Sequence, residues 1–300
     1  MNPQLLSLFA HVAQTQSFTE SANALGVTRP AISARIRQLE AECGVVLLER
    51  AGRGIRLTPA GLNLLVHAER ITQAVADANE CLETFRGPQS GAIRVAVGHT
   101  FGHLDLHRWL SQFQKLAPSV SVEPLICNTG ETVEHLMAGR VDLGIVGNPP
   151  NLSSISEEYL YDEELVFTCD RSINQATVDS IIRSSAFLVR EKKSGTRMLV
   201  EEILKRFHMA PKKWLELANE HAILQAVRMG LGVAVLPRRL VADNLQLQRL
   251  TELNLINEPI LMPCKLLYCK SKGLSVFSRL FADVVVSSIT TQSIGRGITT

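Results

Sequence analysis

Arginine is the first chemistry this sequence offers. Residues 1–58 hold Arg29, Arg35, Arg37, Arg50, Arg53 and Arg56 and no lysine. A guanidinium presents its donors as a planar fork that fits two phosphate oxygens, or the O6 and N7 atoms of a guanine. Between Arg29 and Arg56 only three glutamates, Glu40, Glu42 and Glu49, oppose them. The whole chain hides this concentration, because 31 Lys+Arg against 29 Asp+Glu leave a formal net charge of +2. That balance excludes a wholly basic, histone-like binder and leaves room for a basic patch.

A second chemistry sits at four strand-to-helix junctions: His99-Thr100, Asn128-Thr129, Ser194-Gly195-Thr196 and Asn219. In open α/β sheets small ligands sit beyond the carboxyl ends of the strands, where helix N-termini offer N–H groups and partial positive charge. Thr100, Thr129 and Thr196 could each give a hydroxyl to a ligand or simply cap a helix. Gly195 allows close backbone approach. Arg190, Lys192, Lys193 and Arg197 crowd one of these turns, which points to a small anion such as a carboxylate, sulfate or phosphate ester, or to a solvated basic turn.

Two further constellations carry less. His99, His103 and His107 follow an i, i+4, i+8 spacing that could place two ligands on one helical face for zinc. No carboxylate or cysteine matches that spacing except Asp105, which faces elsewhere, so no metal is expected. The six cysteines (43, 81, 127, 169, 264 and 269) form no CxxC and read as buried thiols in a reducing compartment. Cys264 and Cys269 could be a redox pair, but neither has the electropositive surroundings that lower a thiol pKa.

The elements that must hold the arginines are short helices. Asn2 and Pro3 open the first, with Leu5, Leu8, Phe9 and Val12 on one face. Thr19 is expected to cap a second helix that stops at Gly26. Thr28 caps a third, whose buried stripe is Ile32, Ile36 and Leu39. Helix, glycine turn, helix is a helix-turn-helix. Pro30, Ser33, Ala34 and Arg37 then face away from the core, with Arg29 at the helix mouth. Residues 45–57 read as two strands around a Gly/Arg-rich turn, a wing. Thr28, Arg29, Pro30, Ser33 and Arg37 are the candidates for the major groove, and Arg50, Arg53 and Arg56 for phosphates.

A long helix over 59–86 repeats Leu64, Ala68, Ile71, Val75, Ala78, Leu82 and Phe85 at alternating steps of four and three, a coiled-coil seam. It would pair two subunits, as reading two half-sites requires. Residues 87–91 (Gly-Pro-Gln-Ser-Gly) break it. Beyond them strands and helices alternate, the pattern of parallel α/β lobes, with crossing strands expected near 162–169 and 263–270. The chain shows no export signal and no apolar run long enough for a membrane span, so a cytoplasmic protein is expected.

Several segments together resemble the LysR-type transcriptional regulators: Ser17-Phe18-Thr19-Glu20-Ser21-Ala22, Leu25 to Ser33, Ile36-Arg37-Gln38-Leu39-Glu40, Leu48-Glu49-Arg50 and Leu57-Thr58-Pro59-Ala60-Gly61. The specific motifs lie in the first 61 residues, while the layout is similar throughout. The chain departs from the family's usual residues at Arg29 (commonly Gln), Ala34 (frequently Arg) and Leu48 (usually Phe).

The resemblance implies an N-terminal all-α winged helix-turn-helix (1–58), a dimerising linker helix (59–88) and a two-lobed α/β effector domain like a periplasmic binding protein (89–300). In that domain lobe I would hold about 91–162 and 268–300, and lobe II about 163–267. It also implies homotetramers on promoter DNA, with RNA polymerase as a further candidate partner. The effector pocket it implies is lined by His99, Thr100, Phe101, Asn128, Thr129, Gly147, Asn148, Ser194, Gly195 and Thr196.

No enzyme and no cofactor are expected. The sequence lacks GxSxG, a P-loop and HExxH, and Gly230-Leu231-Gly232 has no third glycine. The rivals are a metabolic enzyme with a regulatory appendage and a solute-binding module that sequesters its ligand.

Overall fold

Helix α1 (Pro3–Thr15) starts where Asn2 accepts a hydrogen bond from Gln4 N and Pro3 takes the first turn, where its missing N–H costs nothing. A computed structural model describes residues 2–51, 54–83, 91–172 and 185–295. The chain divides into two compact units, one made of residues 1–89 with 137–140 and the other of 90–136 with 141–300.

In the first unit α1 is followed by α2 (Phe18–Leu25), α3 (Arg29–Cys43), β1 (Leu48–Ala51), β2 (Gly54–Leu57) and α4 (Pro59–Glu83). The N-cap of α2 is Ser17, not the expected Thr19: its hydroxyl accepts from Glu20 N at 3.2 Å. Ser17 and Glu20 stand at capping-box spacing, so the helix starts two residues earlier than Thr19 would allow. Gly26 ends α2 at φ +65°, a left-handed turn that glycine adopts without strain. Thr28 caps α3 through Ala31 N.

Phe9, Val12, Ile32, Leu39, Leu47 and Ala68 form the core of this unit. Burying Phe9 completely stabilises it by about 1.5–3 kcal/mol. Strands β1 and β2 pair antiparallel from Leu48↔Leu57 to Ala51↔Gly54. Glu40 of α3 anchors this wing by accepting from Leu47 N and Leu48 N at 2.8 and 3.1 Å.

The seam on α4 does not behave as one stripe. Ala68 is fully buried and Leu64 packs beside it in the unit's own core, because α4 lies along α1. Ile71 and Val75 are exposed, as are Leu62 and Val66 on the opposite face. The early heptad is thus consumed within the subunit. Phe85 and residues 84–88 of the expected linker lie outside the described residues, as do Gly87–Ser90 and Arg53.

The second unit begins with β3 (Gly91–Gly98), α5 (His99–Leu104), α6 (Leu106–Leu116), β4 (Val120–Cys127), α7 (Thr129–Met137) and β5 (Leu143–Gly147). Next come β6 (Ile155–Asp170), β7 (Ala186–Val189), α8 (Gly195–Arg206), β8 (Lys213–Glu216), α9 (Glu220–Arg228), β9 (Gly232–Pro237), α10 (Arg238–Gln246), β10 (Leu250–Glu252), β11 (Ile260–Cys269) and α11 (Val276–Gly295). Along the sheet the order is β4-β3-β5-β11-β6-β9-β7-β8, and β10 pairs with β6.

Each end of this sheet is parallel: β3 pairs with β4 and β5, and β7 with β8 and β9. The centre is antiparallel, with β11 beside β5 and β6, and β6 beside β9. Two doubly wound lobes are therefore joined through the long strands β6 and β11. A bulge between Cys264 and Lys265 bends β11 midway.

A buried charge cluster spans the same joint. Arg239, at the start of α10, donates to Asp105 at 2.8 and 2.9 Å, to the Tyr161 hydroxyl at 2.9 Å and to Glu163. Asp105 interrupts the helical run after Thr100 and separates α5 from α6. Asp105 and Glu163 are 3% and 2% exposed, so the guanidinium is what compensates two carboxylates away from water.

Candidate functional site

On the first unit the exposed face of α3 meets the wing. Arg29, Ser33, Arg37, Arg50 and Gly54 line one groove of about 300 Å³, with Ser17, Thr19 and Glu49. Arg29, Arg37 and Arg50 are exposed and form no ion pair among the described residues, so their forks are available to an outside anion. Arg37 Nε donates to Ser33 O at 3.3 Å, which holds it along the helix. Thr28 and Pro30 are exposed at the mouth of α3. Arg56 differs, because Glu49 pairs with it across the hairpin at 2.6 Å. The sequence reading missed Glu40 as the residue that sets the wing against α3.

In the second unit His99, Thr100, Phe101, Asn128, Thr129, Gly147, Ser194, Gly195 and Thr196 all line a single cleft. Its free volume is about 20 Å³. That is room for roughly one water, so anything larger must part the walls.

The walls meet at Gly195. Its N donates to Thr129 Oγ1 at 3.1 Å, and Thr129 Oγ1 donates to Gly147 O at 3.1 Å. A β-carbon on Gly195 would stand 1.9 Å from Gly147 O, so only glycine permits this approach. Gly130 N donates to Lys193 O at 3.0 Å. Asn148 does not line the cleft; it stands at the rim, in a left-handed turn at φ 45°, with Nδ2 3.5 Å from Gly195 O.

None of the three threonines is a helix cap. Asn128 caps α7 by accepting from Glu131 N at 2.9 Å, and Glu131 returns the bond to Asn128 N, a reciprocal box that takes the capping role expected of Thr129. Ser194 caps α8 and Gly98 precedes α5 without a side-chain cap. The threonine hydroxyls are spent on the cleft instead. Thr100 donates to Glu220 Oε1 at 2.8 Å, and Thr196 lies 3.6 Å from Met262 Sδ. Phe101 is 1% exposed and packs edge-on against Tyr161, so it serves chiefly as the floor.

Four lining residues were not among the expected pocket residues: Gly98, Glu220, Met262 and Arg190, the last expected only as one of the cations crowding that turn. Arg190 is 3% exposed and donates to Glu220 and, through two nitrogens at 2.8 Å, to Glu191. Burial pushes the Glu191 carboxyl up, but Arg190 outweighs it and holds the group below the usual range. Of the other crowded cations Lys193 pairs with Glu134 and Arg197 with Glu201, while Lys192 is exposed and forms no ion pair among the described residues. Arg197 also stacks 4.6 Å above Trp214.

The histidines gather differently from the expected spacing. His103 lies edge-on to His221 with ring centroids 4.7 Å apart, and His99 is 6.2 Å from His103. His107 does not join these ring contacts. Burial lowers the pKa of His99 and His103, helped respectively by Arg190 and His221. No group of three His, Cys, Asp or Glu among the described residues could hold a metal ion.

Cys264 is fully buried, and burial with the nearby Asp105 raises its thiol pKa well above the usual value. Burial raises Cys169 to about 11. Cys264 and Cys269 sit on one strand five residues apart, about 16 Å along it, beyond disulfide reach.

Comparison with known proteins gives the same two-part division. Residues 3–62 match the bacterial regulatory helix-turn-helix model of the lysR family, and residues 86–289 match the LysR substrate binding domain model. The HTH-type transcriptional regulator CbbR of Rhodospirillum rubrum is 32% identical over 256 residues, covering 85% of this chain and 86% of that protein. Full-length CbnR, solved with its target DNA, superposes with a TM-score of 0.68 at 22% identity, over 96% of this chain and all of that one. The regulatory domain of CcmR from Synechocystis PCC6803, solved with 2-PG, aligns at TM-score 0.60 and 27% identity, over 67% of this chain and 98% of that one. The two family models, matched in order along the chain, together with a relative 32% identical over 85% of it, place this protein in the LysR family of bacterial transcriptional regulators.

Proposed function

We propose that this regulator works in the cytoplasm by placing α3 in the major groove. Thr28, Arg29, Pro30, Ser33 and Arg37 read or position bases, and Arg50, Arg53 and Arg56 hold phosphates. Two copies pair through α4 to span two half-sites, and two such dimers form the tetramer on promoter DNA, where RNA polymerase is the onward partner. The protein is not an enzyme in this reading and needs no cofactor.

Its effector is a small metabolite with an acid group, seated in the cleft between the lobes. The observation that carries this is the convergence of nine expected residues on one cleft whose walls touch at Gly195. A related regulatory domain binds 2-PG, which supports a small-molecule occupant. Binding shifts the protein between open and closed clefts only as far as the ligand prefers one of them.

Fluorescence anisotropy with labelled duplex from the region upstream of its own gene tests the reading, with 2-PG as the first probe. Tighter binding to that duplex than to random DNA, altered by the probe, is the expected result. Equal binding to both duplexes overturns sequence-specific regulation.

A further inference from the structure

Glu220 is the cleft residue whose bonding is left incomplete. It is the first residue of α9 and 1% exposed. Its Oε1 accepts from both Thr100 and Arg190. Its Oε2 is sealed from solvent and has no hydrogen-bond partner. Burying a carboxylate oxygen without a donor forfeits its hydration and returns nothing, and such atoms are exceptional in folded proteins.

The charges around it sharpen the point. Arg190 brings one positive charge to the cleft, against Glu220 and Glu191. Lys193 and Arg197 are already engaged by Glu134 and Glu201, and Lys192, exposed on the same turn, does not line the cleft. His99 and His103 are held toward their neutral forms. A bare anion therefore meets an acceptor to which it can give nothing. A ligand that bears an O–H or N–H group beside its acid supplies what Oε2 lacks, while the acid end faces Arg190 and the first turns of α7 and α8.

We propose that Glu220 selects the effector: the recognised molecule is a hydroxy- or amino-substituted small acid, and its donor group pairs with Glu220 Oε2. This rests on the effector-cleft reading and adds a chemical class to it.

The test is calorimetric titration of the full-length protein with matched acids: propionate against lactate and alanine, and ethyl phosphate against 2-hydroxyethyl phosphate. Lactate and alanine separate a hydroxyl donor from an ammonium. The substituted member of a pair is expected to bind about tenfold tighter or more, as a hydrogen bond to a charged group provides. In Glu220→Gln the side chain can turn an amide N–H₂ toward the cleft, and the preference should shrink to about twofold or less. Glu220→Asp keeps the acceptor and should retain part of the preference.

Equal binding of substituted and parent acids by the wild-type protein overturns the role of Glu220 and leaves the cleft as the effector site. So does a preference that survives in Glu220→Gln. No binding by any of these acids, with 2-PG also silent, overturns the effector reading and this inference with it.

Discussion

The two units use arginine in opposite ways. On the DNA-facing unit Arg29, Arg37 and Arg50 are exposed and form no ion pair among the described residues. In the effector unit Arg190, Arg197 and Arg239 are each tied to glutamate or aspartate partners. An exposed guanidinium contributes little to stability and retains its forked donors for a partner. A buried one compensates carboxylates that could not be buried alone. Arginine count alone thus says nothing about what a segment binds; the number of carboxylates within reach decides it.

Identical truncations should separate the two uses, and the largest effect is expected at the joint of the lobes. Arg239→Ala leaves Asp105 and Glu163 buried without their cation and should cost about 3–5 kcal/mol. Denaturant unfolding of the effector unit reads this out. A loss of less than about 1 kcal/mol would place Arg239 with the exposed arginines.

Gly195→Val comes next. The side chain collides with Gly147 O and Thr129, and overpacking of this kind costs about 1–3 kcal/mol in the closed form. The cleft should be propped open, so the DNA affinity of the variant ceases to respond to effector. Small-angle scattering of the variant against wild type checks the opening. A full response to ligand in Gly195→Val contradicts the contact as the closing point.

Arg29→Ala should change which sequences are preferred, by about 1–3 kcal/mol at the affected base pair. Arg50→Ala should instead weaken all duplexes alike and lower the salt slope by about one unit. Anisotropy on operator and random duplexes at several salt concentrations distinguishes them. Uniform effects from both variants would dissolve the division between reading and holding.

The smallest effect is on pH. Burial lowers the pKa of His99 and His103 in the folded protein, so the native state resists taking up protons. Stability from these groups is complete above their unfolded pKa of about 6.5 and is lost as pH falls below it. His103 and His221 are exposed, which screens the effect, so a modest fall in the melting temperature of the effector unit between pH 7 and pH 5.5 is expected. A rise over that range would reverse the sign.

What could be read from sequence was local. Asn2, Gly26, Thr28 and Asn219 announced their helix ends because capping depends on residues within one turn. Ser17 and Asn128 were passed over for Thr19 and Thr129, although each has glutamate three residues on, the spacing that decides the cap. Arg239 with Asp105 and Glu163 was invisible, since those partners are 134 and 76 residues away. Glu220 was hidden for the same reason: Arg190 reaches it from 30 residues away within its own lobe, and Thr100 from 120 residues away across the lobes. On α4 the heptad spacing was visible, but not that α1 of the same chain would claim Leu64 and Ala68.

The account stands most directly on the salt dependence of DNA binding by the full-length protein. Affinity for the duplex upstream of its own gene should fall linearly on a log–log plot against salt, and exceed that for random duplex throughout. No binding to either duplex at low ionic strength would contradict it.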